Sequence, residues 1–207
     1  GETVYEVDTL SDIPADGDTL REAIQQSNMD ATDGVIVFAE GLAGTITMLG
    51  AAEMQINGSL SIEGPGSELL TIDAVGASRH FAAPIAGVEL SISGMTLTRG
   101  SGPARGGSIY MEDGACFDLA DVVITDSNSP SIGGAVYLVD VIGDIAIQES
   151  HFEDNSAGGL AAVGGGAVSI IGAASTANID ITDTSFVGNE AATGDSGAVL
   201  IDTMKRT

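Results

Sequence analysis

Four aspartates at a shared spacing are the first side chains in this sequence that could do chemistry. Asp118 and Asp121 stand three residues apart, and Asp180 and Asp183 repeat that spacing further along the chain. Outward carboxylates on stacked strands could bind calcium, which prefers oxygen ligands, or act as an acid–base pair. Because 30 of the 207 residues are acidic, chance also produces such pairs. We therefore predict no required cofactor and keep calcium as the open alternative.

Arg99 and Arg105, on either side of Pro103, offer a second kind of chemistry. Enzymes that cleave acidic polysaccharides by elimination take a sugar proton with a basic residue, beside a cation that neutralises the uronate. The only lysine, Lys205, lies in the tail, so an arginine would have to serve. The two arginines can equally offset nearby acids. We therefore treat them as candidate binding residues and assign no catalytic residue.

The candidate residues lie within a sequence repeat of about 30 residues, and the strands of that repeat determine their positions. The phrase Gly-Gly-Ala-Val-Tyr-Leu at 133–138 returns as Gly-Gly-Ala-Val-Ser-Ile at 165–170 and as Ser-Gly-Ala-Val-Leu-Ile at 196–201. Three short strands and three turns fill one such period, and equivalent strands then stack as parallel neighbours about 4.8 Å apart. The sequence thus predicts an all-β fold, a right-handed single-stranded parallel β-helix of about six coils.

Several positions of the repeat have a structural interpretation that follows from their residue type. Asn155 and Asn189 occupy equivalent places, and we predict a stacked asparagine position that bonds to the backbone of a turn. Tyr110 and Tyr137 share another repeat position and should stack on each other. The second glycine of each copy indicates a tight turn or a close approach of backbone. These glycines are Gly107, Gly134, Gly166 and Gly197.

The N-terminal segment carries the one convincing helix signal. In residues 19–28, Thr19 can cap the start of a helix, and the side chain of Glu22, three residues later, can accept from the backbone N–H of Thr19 in return. This reciprocal arrangement is a capping box. Because a solenoid must cover its exposed apolar end, we predict that this helix is a cap. The expected organisation is an N-terminal strand and capping helix over 1–34, then one continuous β-helix over 35–207, as part of a longer protein.

The net charge excludes nucleic acid as a partner, and the length of the apolar runs excludes insertion into a membrane. Thirty acidic residues face six basic ones, for a formal net charge of -24. Nucleic acid is excluded, because binding to phosphates needs a basic surface. No apolar run is long enough to span a bilayer, so we predict no membrane insertion.

Two blocks of the chain together resemble a known family. Residues 16–28, Asp-Gly-Asp-Thr-Leu-Arg-Glu-Ala-Ile-Gln-Gln-Ser-Asn, resemble the opening motif of the bacterial CSLREA-type domain, with Asp18 in place of the motif's cysteine. The Gly-Gly-Ala-Val phrases, with Phe152-Glu-Asp-Asn155 and Phe186-Val-Gly-Asn189, resemble the paired repeats of polymorphic outer-membrane proteins. The resemblance implies a right-handed parallel β-helix on a large bacterial extracellular protein, and hence an extracellular or cell-surface location.

The resemblance implies no defined activity. We expect a non-catalytic β-helical stalk or adhesin-like module that contacts carbohydrate or another cell-surface ligand. The alternative is a carbohydrate-active enzyme of the β-helix type, a polysaccharide lyase acting on acidic glycans. The last strand has no evident cap, and uncovered strands tend to pair with others. Further coils or self-association are therefore expected at the C-terminal end.

Overall fold

The structure, a computed structural model, describes residues 1–30, 32–50, 52–158, 164–192 and 197–203. It is a parallel β-solenoid of about seven turns with one short α-helix in the described part. The repeat predicts about six coils, and the difference lies at the N-terminus. There β1 (Thr3–Val7) pairs in parallel with β2 (Gly34–Phe38) and so adds a rung ahead of the first complete turn. The tail residue Lys205 lies outside the described residues.

Equivalent strands of successive turns pair in parallel and form three sheets. The first sheet contains β1, β2, β5 (Leu60–Glu63), β8 (Glu89–Thr98), β10 (Cys116–Thr125), β13 (Ile145–Gln148) and β17 (Ile179–Thr182). The ten-residue strands β8 and β10 also pair with a second row of strands. β8 pairs with β6 (Leu70–Asp73), which pairs with β3 (Gly44–Thr47). β10 pairs with β14 (His151–Glu153), which pairs with β18 (Ser185–Val187). The second sheet contains β4 (Met54–Gln55), β7 (Phe81–Ala83), β9 (Ile109–Glu112), β12 (Val136–Val139), β16 (Val168–Ile171) and β20 (Val199–Asp202). A short third sheet contains β11 (Asn128–Ser129), β15 (Ser156–Ala157) and β19 (Glu190–Ala191).

Alternation of apolar and polar residues decides which side chains enter the core between the sheets. Ile145 and Ile147 are buried, and each pairs in register with an isoleucine of the next turn. Their neighbour Gln148 is exposed on the outer face. Phe152 lies under Phe186, with ring centroids 5.0 Å apart. Full burial of each such side chain contributes about 1.5–3 kcal/mol, so like-on-like stacking is the main source of stability.

The corners between strands use backbone with positive φ. Among the described residues, nine non-glycine residues have this conformation, and six of them are aspartates. One corner stacks Asp121, Glu149 and Asp183, with φ values of 51°, 47° and 49°. Aspartate tolerates the left-handed region better than most residues because its short side chain can bond to nearby backbone. Part of the acidity of this chain therefore serves the corners of the solenoid.

The helix α1 (Leu20–Ser27) covers the N-terminal end of the core. Thr19 and Glu22 form a reciprocal capping box at its start. Arg21 forms a two-pronged ion pair with Asp12, with N–O distances of 2.9 and 3.1 Å, and it also donates to the carbonyl of residue 52 in the first turn. A short 3-10 helix, Pro14–Asp16, precedes α1.

The residue that follows α1, Asn28, locks the helix to the first turn of the solenoid. Its side-chain nitrogen donates to the carbonyl of Gln55, at 2.7 Å, and its side-chain oxygen accepts from the backbone N–H of Asn57, at 2.8 Å. Because these two bonds reach the backbone around β4, the helix is fixed in place as a cap over the core.

The repeated glycines form a column where backbones from successive turns approach closely. A Cβ atom on Gly134 would lie 1.9 Å from the carbonyl oxygen of Gly166, and one on Gly107 would lie 2.1 Å from that of Gly134. Gly166 stands in the same relation to Gly197, at 2.3 Å. No side chain fits at these three distances, so glycine is required at 107, 134 and 166, whereas a Cβ on Gly197 would meet no described atom within 4 Å.

Candidate functional site

The loop over residues 101–106 crosses the outer side of the second sheet, and Arg79 fastens it there. The Arg79 side chain is buried, and its Nε and one terminal nitrogen donate to the carbonyls of Gly106, at 2.8 Å, and Arg105, at 2.6 Å. Its other terminal nitrogen pairs with the carboxylate of Glu53. Burial lowers the pKa of Arg79, and the Glu53 carboxylate opposes that shift. Since all three nitrogens donate, Arg79 holds the loop and has no free lone pair for proton abstraction.

Arg105 presents the exposed positive charge of this loop. Its guanidinium carbon lies 5.3 Å from the centroid of the Tyr137 ring, a distance typical of a cation–π contact. Arg79 lies in the same way over Tyr110, at 5.0 Å. Within the described part of the chain, no carboxylate is at ion-pair distance from Arg105. Its donors are therefore available to a ligand.

The two tyrosines under these arginines stack on each other across neighbouring turns. Tyr110 and Tyr137 pair in register, with ring centroids 5.9 Å apart and planes inclined by 11°, as predicted from their shared repeat position. The Tyr110 hydroxyl donates to Oε2 of Glu112. Burial, together with this hydrogen bond to a carboxylate, raises the pKa of Tyr110, so the hydroxyl stays protonated and acts as a donor. The stack is a rigid base for both guanidinium groups.

A cavity of about 270 Å³ opens beside this stack and is the candidate functional site, which we call the Arg105 cleft. Its polar lining comes from Arg105, Glu112, Tyr137 and Asp140, and its apolar lining includes Ile132 and Ile171. A second cavity, of about 520 Å³, lies on the other side of the 101–106 loop and is lined in part by Glu53, Gln55, Ser78 and Arg79. The loop contributes to both cavities, because Arg105 lines the first and Ser101, Gly102 and Pro103 line the second.

The other candidate arginine, Arg99, belongs to a different part of the surface. It occupies a left-handed corner, with φ of 54°, and donates from two nitrogens to both carboxylate oxygens of Asp73. Burial opposes ionisation of Asp73, but the hydrogen bonds from Arg99 and from the backbone of Val75 outweigh it and lower the pKa of Asp73. Arg99 and Arg105 therefore do not form one site.

The four candidate aspartates are spread over the first sheet and its corner. Asp118 and Asp180 share an outward column but are separated by Ala146, since each pairs with that residue in register. Asp121 and Asp183 share a corner column and are separated by Glu149. Asp121 also accepts hydrogen bonds from the backbone and the hydroxyl of Ser67.

In the described ranges, no group of three or more histidine, cysteine, aspartate or glutamate side chains is placed to hold a metal ion. Ala146 separates Asp118 from Asp180. The corner column of Asp121, Glu149 and Asp183 holds three acidic residues, but they are not grouped closely enough to hold an ion. Calcium remains an expectation from the sequence.

The asparagine column lies inside the solenoid. Asn155 is fully buried; its side-chain nitrogen donates to the carbonyl of Ile124 and to the side chain of Asn189, both at 2.9 Å, and its side-chain oxygen accepts from the backbone of Ser127. Asn189 in turn donates to the carbonyl of Phe152. These amides supply hydrogen bonds to the backbone at a corner; Asn155 is not accessible to a ligand, whereas Asn189 is only partly buried.

A buried histidine extends this interior polar network toward the N-terminus. His80 contacts the carbonyl of Ile72 through Nε2, at 3.0 Å, and the hydroxyl of Ser108 through Nδ1, at 3.1 Å. Ser108 lies 2.7 Å from the hydroxyl of Ser127, which joins the two halves of the network. Burial lowers the pKa of His80 to about 4, so the ring is neutral at neutral pH.

Sequence reasoning named Arg105 and the tyrosine pair but missed the residues that complete the site. The sequence does not distinguish Glu112 and Asp140 from its many other acidic residues. The feature that could have identified them is that they lie at the C-terminal ends of β9 and β12. Glu53 and Arg79 lie 26 residues apart, close to one repeat, so their spacing carried a usable signal.

Comparison with known proteins adds no relative: no family model, no curated protein and no solved structure matches this chain. The likeness of residues 16–28 to the CSLREA-type motif is therefore carried by the motif residues alone. Within the described residues, no helix is long and apolar enough to cross a membrane.

Proposed function

We propose that this chain is a non-catalytic, carbohydrate-contacting module of a bacterial extracellular or cell-surface protein, of the adhesin-like or stalk type. The observation that carries the proposal is the Arg105 cleft, where an exposed guanidinium fixed on Tyr137 faces the carboxyl groups of Glu112 and Asp140. A rigid set of planar polar groups beside apolar side chains is suited to fixing the orientation of a ligand rich in hydroxyl groups. The motif residues of 16–28 and the Gly-Gly-Ala-Val repeats support the extracellular, bacterial part of the proposal.

The solenoid supports this function because it is a preorganised scaffold. The strands that carry Glu112 and Tyr137 pair in register, so the cleft is set by backbone geometry and not by a mobile loop alone. Arg79 fastens the one loop that contributes Arg105. A site held in this way loses little conformational entropy when it binds a ligand.

The alternative, a polysaccharide lyase acting on acidic glycans, needs a basic group free to take a proton. Arg79 donates from all three nitrogens and Arg99 is paired with Asp73. Arg105 is the remaining candidate among the described arginines outside the ion pair of Arg21 with Asp12, and its guanidinium lies over Tyr137. These contacts favour binding over catalysis.

The C-terminal end of the solenoid supports contact with another protein surface. Ile179 and Ile181 are only partly buried, while the isoleucines at the same positions one turn earlier are 1% and 0% exposed. Val187 is 50% exposed. We propose that this face packs on a second copy of the chain. Sedimentation velocity over a range of concentrations tests this: the chain should associate as its concentration rises, and Val187→Asp should reduce that association, whereas a monomer at every concentration would contradict the proposal.

The test of the proposed function is a panel of oligosaccharides measured by calorimetry and by ligand-observed NMR, with absorbance monitoring for unsaturated sugar products. Binding without any product is expected. Accumulation of unsaturated product would replace the proposal with the lyase. Absence of binding to every member of the panel would remove carbohydrate as the partner.

A further inference from the structure

The charges that line the Arg105 cleft indicate which class of sugar it takes. We propose that the cleft binds an uncharged hexose ring of a glycan and rejects uronic acids, an inference that rests on the function proposed above. The lining combines one guanidinium, on Arg105, with two carboxylates, on Glu112 and Asp140. A ligand carboxylate does not suit that combination.

An acidic sugar meets repulsion at two levels. Inside the cleft, a ligand carboxylate that reaches Arg105 also approaches the carboxylates of Glu112 and Asp140, which together outnumber the guanidinium. Outside it, the chain carries a formal net charge of -24, so its field opposes the approach of a polyanion. The neighbouring Arg79 adds no net charge, because it is paired with Glu53.

A positively charged sugar meets attraction and repulsion together. Its ammonium group would be drawn to Glu112 or Asp140 and would share the cavity with the Arg105 guanidinium, which no described carboxylate neutralises. The formal net charge of -24 also attracts a cation. The amino sugar is therefore the competitor against which a neutral sugar must be compared.

A neutral sugar satisfies every polar group in the cleft. Its ring and hydroxyl oxygens can accept from the planar donors of Arg105, and its hydroxyl hydrogens can be donated to the carboxylates of Glu112 and Asp140. The Glu112 carboxylate accepts one hydrogen bond from Tyr110, and no other described residue donates to it. No described residue donates to the side chain of Asp140. Both carboxylates keep acceptor capacity for a ligand.

The size and apolar walls of the cleft fit a single ring. Its volume of about 270 Å³ is just below the roughly 300–1,000 Å³ typical of sites for drug-sized ligands, so an extended chain of rings does not enter it. Ile132 and Ile171 supply an apolar wall for the C–H face of a sugar. The Tyr137 ring is covered by Arg105, so its part is to position the guanidinium and not to stack on the ligand.

The experiment compares trisaccharides of the three charge classes on the whole chain by calorimetry: cellotriose, mannotriose and galactotriose as neutral sugars, trigalacturonate as the acid, and the glucosamine trimer as the amine. At least one neutral trisaccharide is expected to bind, with little change in affinity between low and high salt. Arg105→Gln is expected to weaken that binding by about tenfold, because charged hydrogen bonds are lost. The matched control Arg99→Gln removes an exposed arginine outside the cleft and should leave the affinity within about twofold.

A second variant tests the reason for rejection of acids. Asp140→Asn keeps a residue type that tolerates the left-handed corner, φ 54°, while it removes one carboxylate from the cleft. Trigalacturonate is expected to bind this variant more tightly than it binds the parent chain. Tighter binding of trigalacturonate or of the glucosamine trimer than of every neutral sugar to the parent chain would overturn this inference and leave the proposed function standing. If no trisaccharide binds, both fall.

Discussion

The guanidinium of Arg105 lies 5.3 Å above the ring of Tyr137, one turn further along the solenoid from the Arg79–Tyr110 pair. The two pairs have different roles although their geometry is alike. Arg79 is buried and its donors are used by Glu53 and by loop carbonyls, whereas Arg105 is exposed and keeps its donors for a ligand. The repeat has thus produced one structural arginine and one arginine suited to binding.

Replacement of Arg79 should destabilise the fold. Arg79→Gln leaves the Glu53 carboxylate without its partner and releases two carbonyls of the 101–106 loop, so we expect a loss of about 3 kcal/mol in the free energy of unfolding. Urea denaturation followed by circular dichroism measures the change. Arg99→Gln, where the arginine itself is exposed, is the control and should have a smaller effect, because Asp73 keeps its hydrogen bond from the backbone of Val75. A loss for Arg79→Gln no larger than that of the control would contradict the role given to Arg79.

Stability should fall below neutral pH because of His80. Its pKa is about 4 in the folded chain and about 6.5 when exposed, so the unfolded state binds a proton first as the pH drops. The contribution of His80 to the free energy of unfolding is present above pH 6.5 and is lost as the pH falls from 6.5 to 4. Between pH 7 and pH 5 the loss amounts to about 2 kcal/mol. Denaturation curves at the two pH values give the difference.

The control for this prediction is His80→Gln, which cannot titrate in that range. The variant is expected to be less stable at pH 7, since Ser108 and the carbonyl of Ile72 lose a well-placed partner, but its stability should change less between pH 7 and pH 5. The comparison cancels the titration of the carboxyl groups, including the neighbouring Asp73. Equal pH dependence in both proteins would show that His80 does not carry the effect.

Removal of the Asn155 amide should weaken the interior of the solenoid. Asn155→Ala leaves the backbone N–H of Ser127 and the carbonyl of Ile124 buried without this partner, and each such group costs about 1–3 kcal/mol. We expect a total loss of about 3 kcal/mol in the free energy of unfolding. Asn128→Ala is the control, because Asn128 is exposed and, among the described residues, its side chain donates only to the hydroxyl of Ser156. Thermal melting of both variants measures the difference. Equal decreases in melting temperature would contradict the role given to the Asn155 amide.

A methyl group on Gly134 should disrupt the stacking of turns. The Cβ of Gly134→Ala would lie 1.9 Å from the Gly166 carbonyl oxygen, which forces adjacent rungs apart. Gly158→Ala is the matched control, because its Cβ would meet no atom of the described residues closer than 3.7 Å. The first variant is expected to melt at a clearly lower temperature or to fail to accumulate as folded protein, and the second to melt near the parent temperature. Similar melting of both would argue against the close column of glycines.

The architecture could be predicted from the sequence because two independent features of the repeat indicate the same period. Glycine phrases and apolar lines share one period, and alternation within each line gives the inward face, as Ile145 and Ile147 show. The extra rung was missed because β1 pairs with β2 across the polar segment and the helix, with no repeat phrase to mark it. Local patterns cannot reveal a pairing that depends on where an intervening segment docks.

The candidate site was harder to predict because it depends on which acids meet which arginines. Arg99 and Arg105 are close in sequence, yet one lies at a corner with Asp73 and the other at the end of a loop over Tyr137. The corner conformation at Arg99, with positive φ, turns the chain between them. Spacing in sequence does not report such a turn, so the partners of each arginine followed only from the structure.

The most direct test of the account is a side-chain NMR titration of the whole chain with the neutral trisaccharide that binds best. We predict that the Nε–H resonance of Arg105 and the backbone amides of Glu112 and Asp140 shift together and saturate at one ligand per chain. Shifts that instead centre on Asp118 and Asp180, on the outer face of the first sheet, would place the binding site elsewhere and contradict the role assigned to the Arg105 cleft.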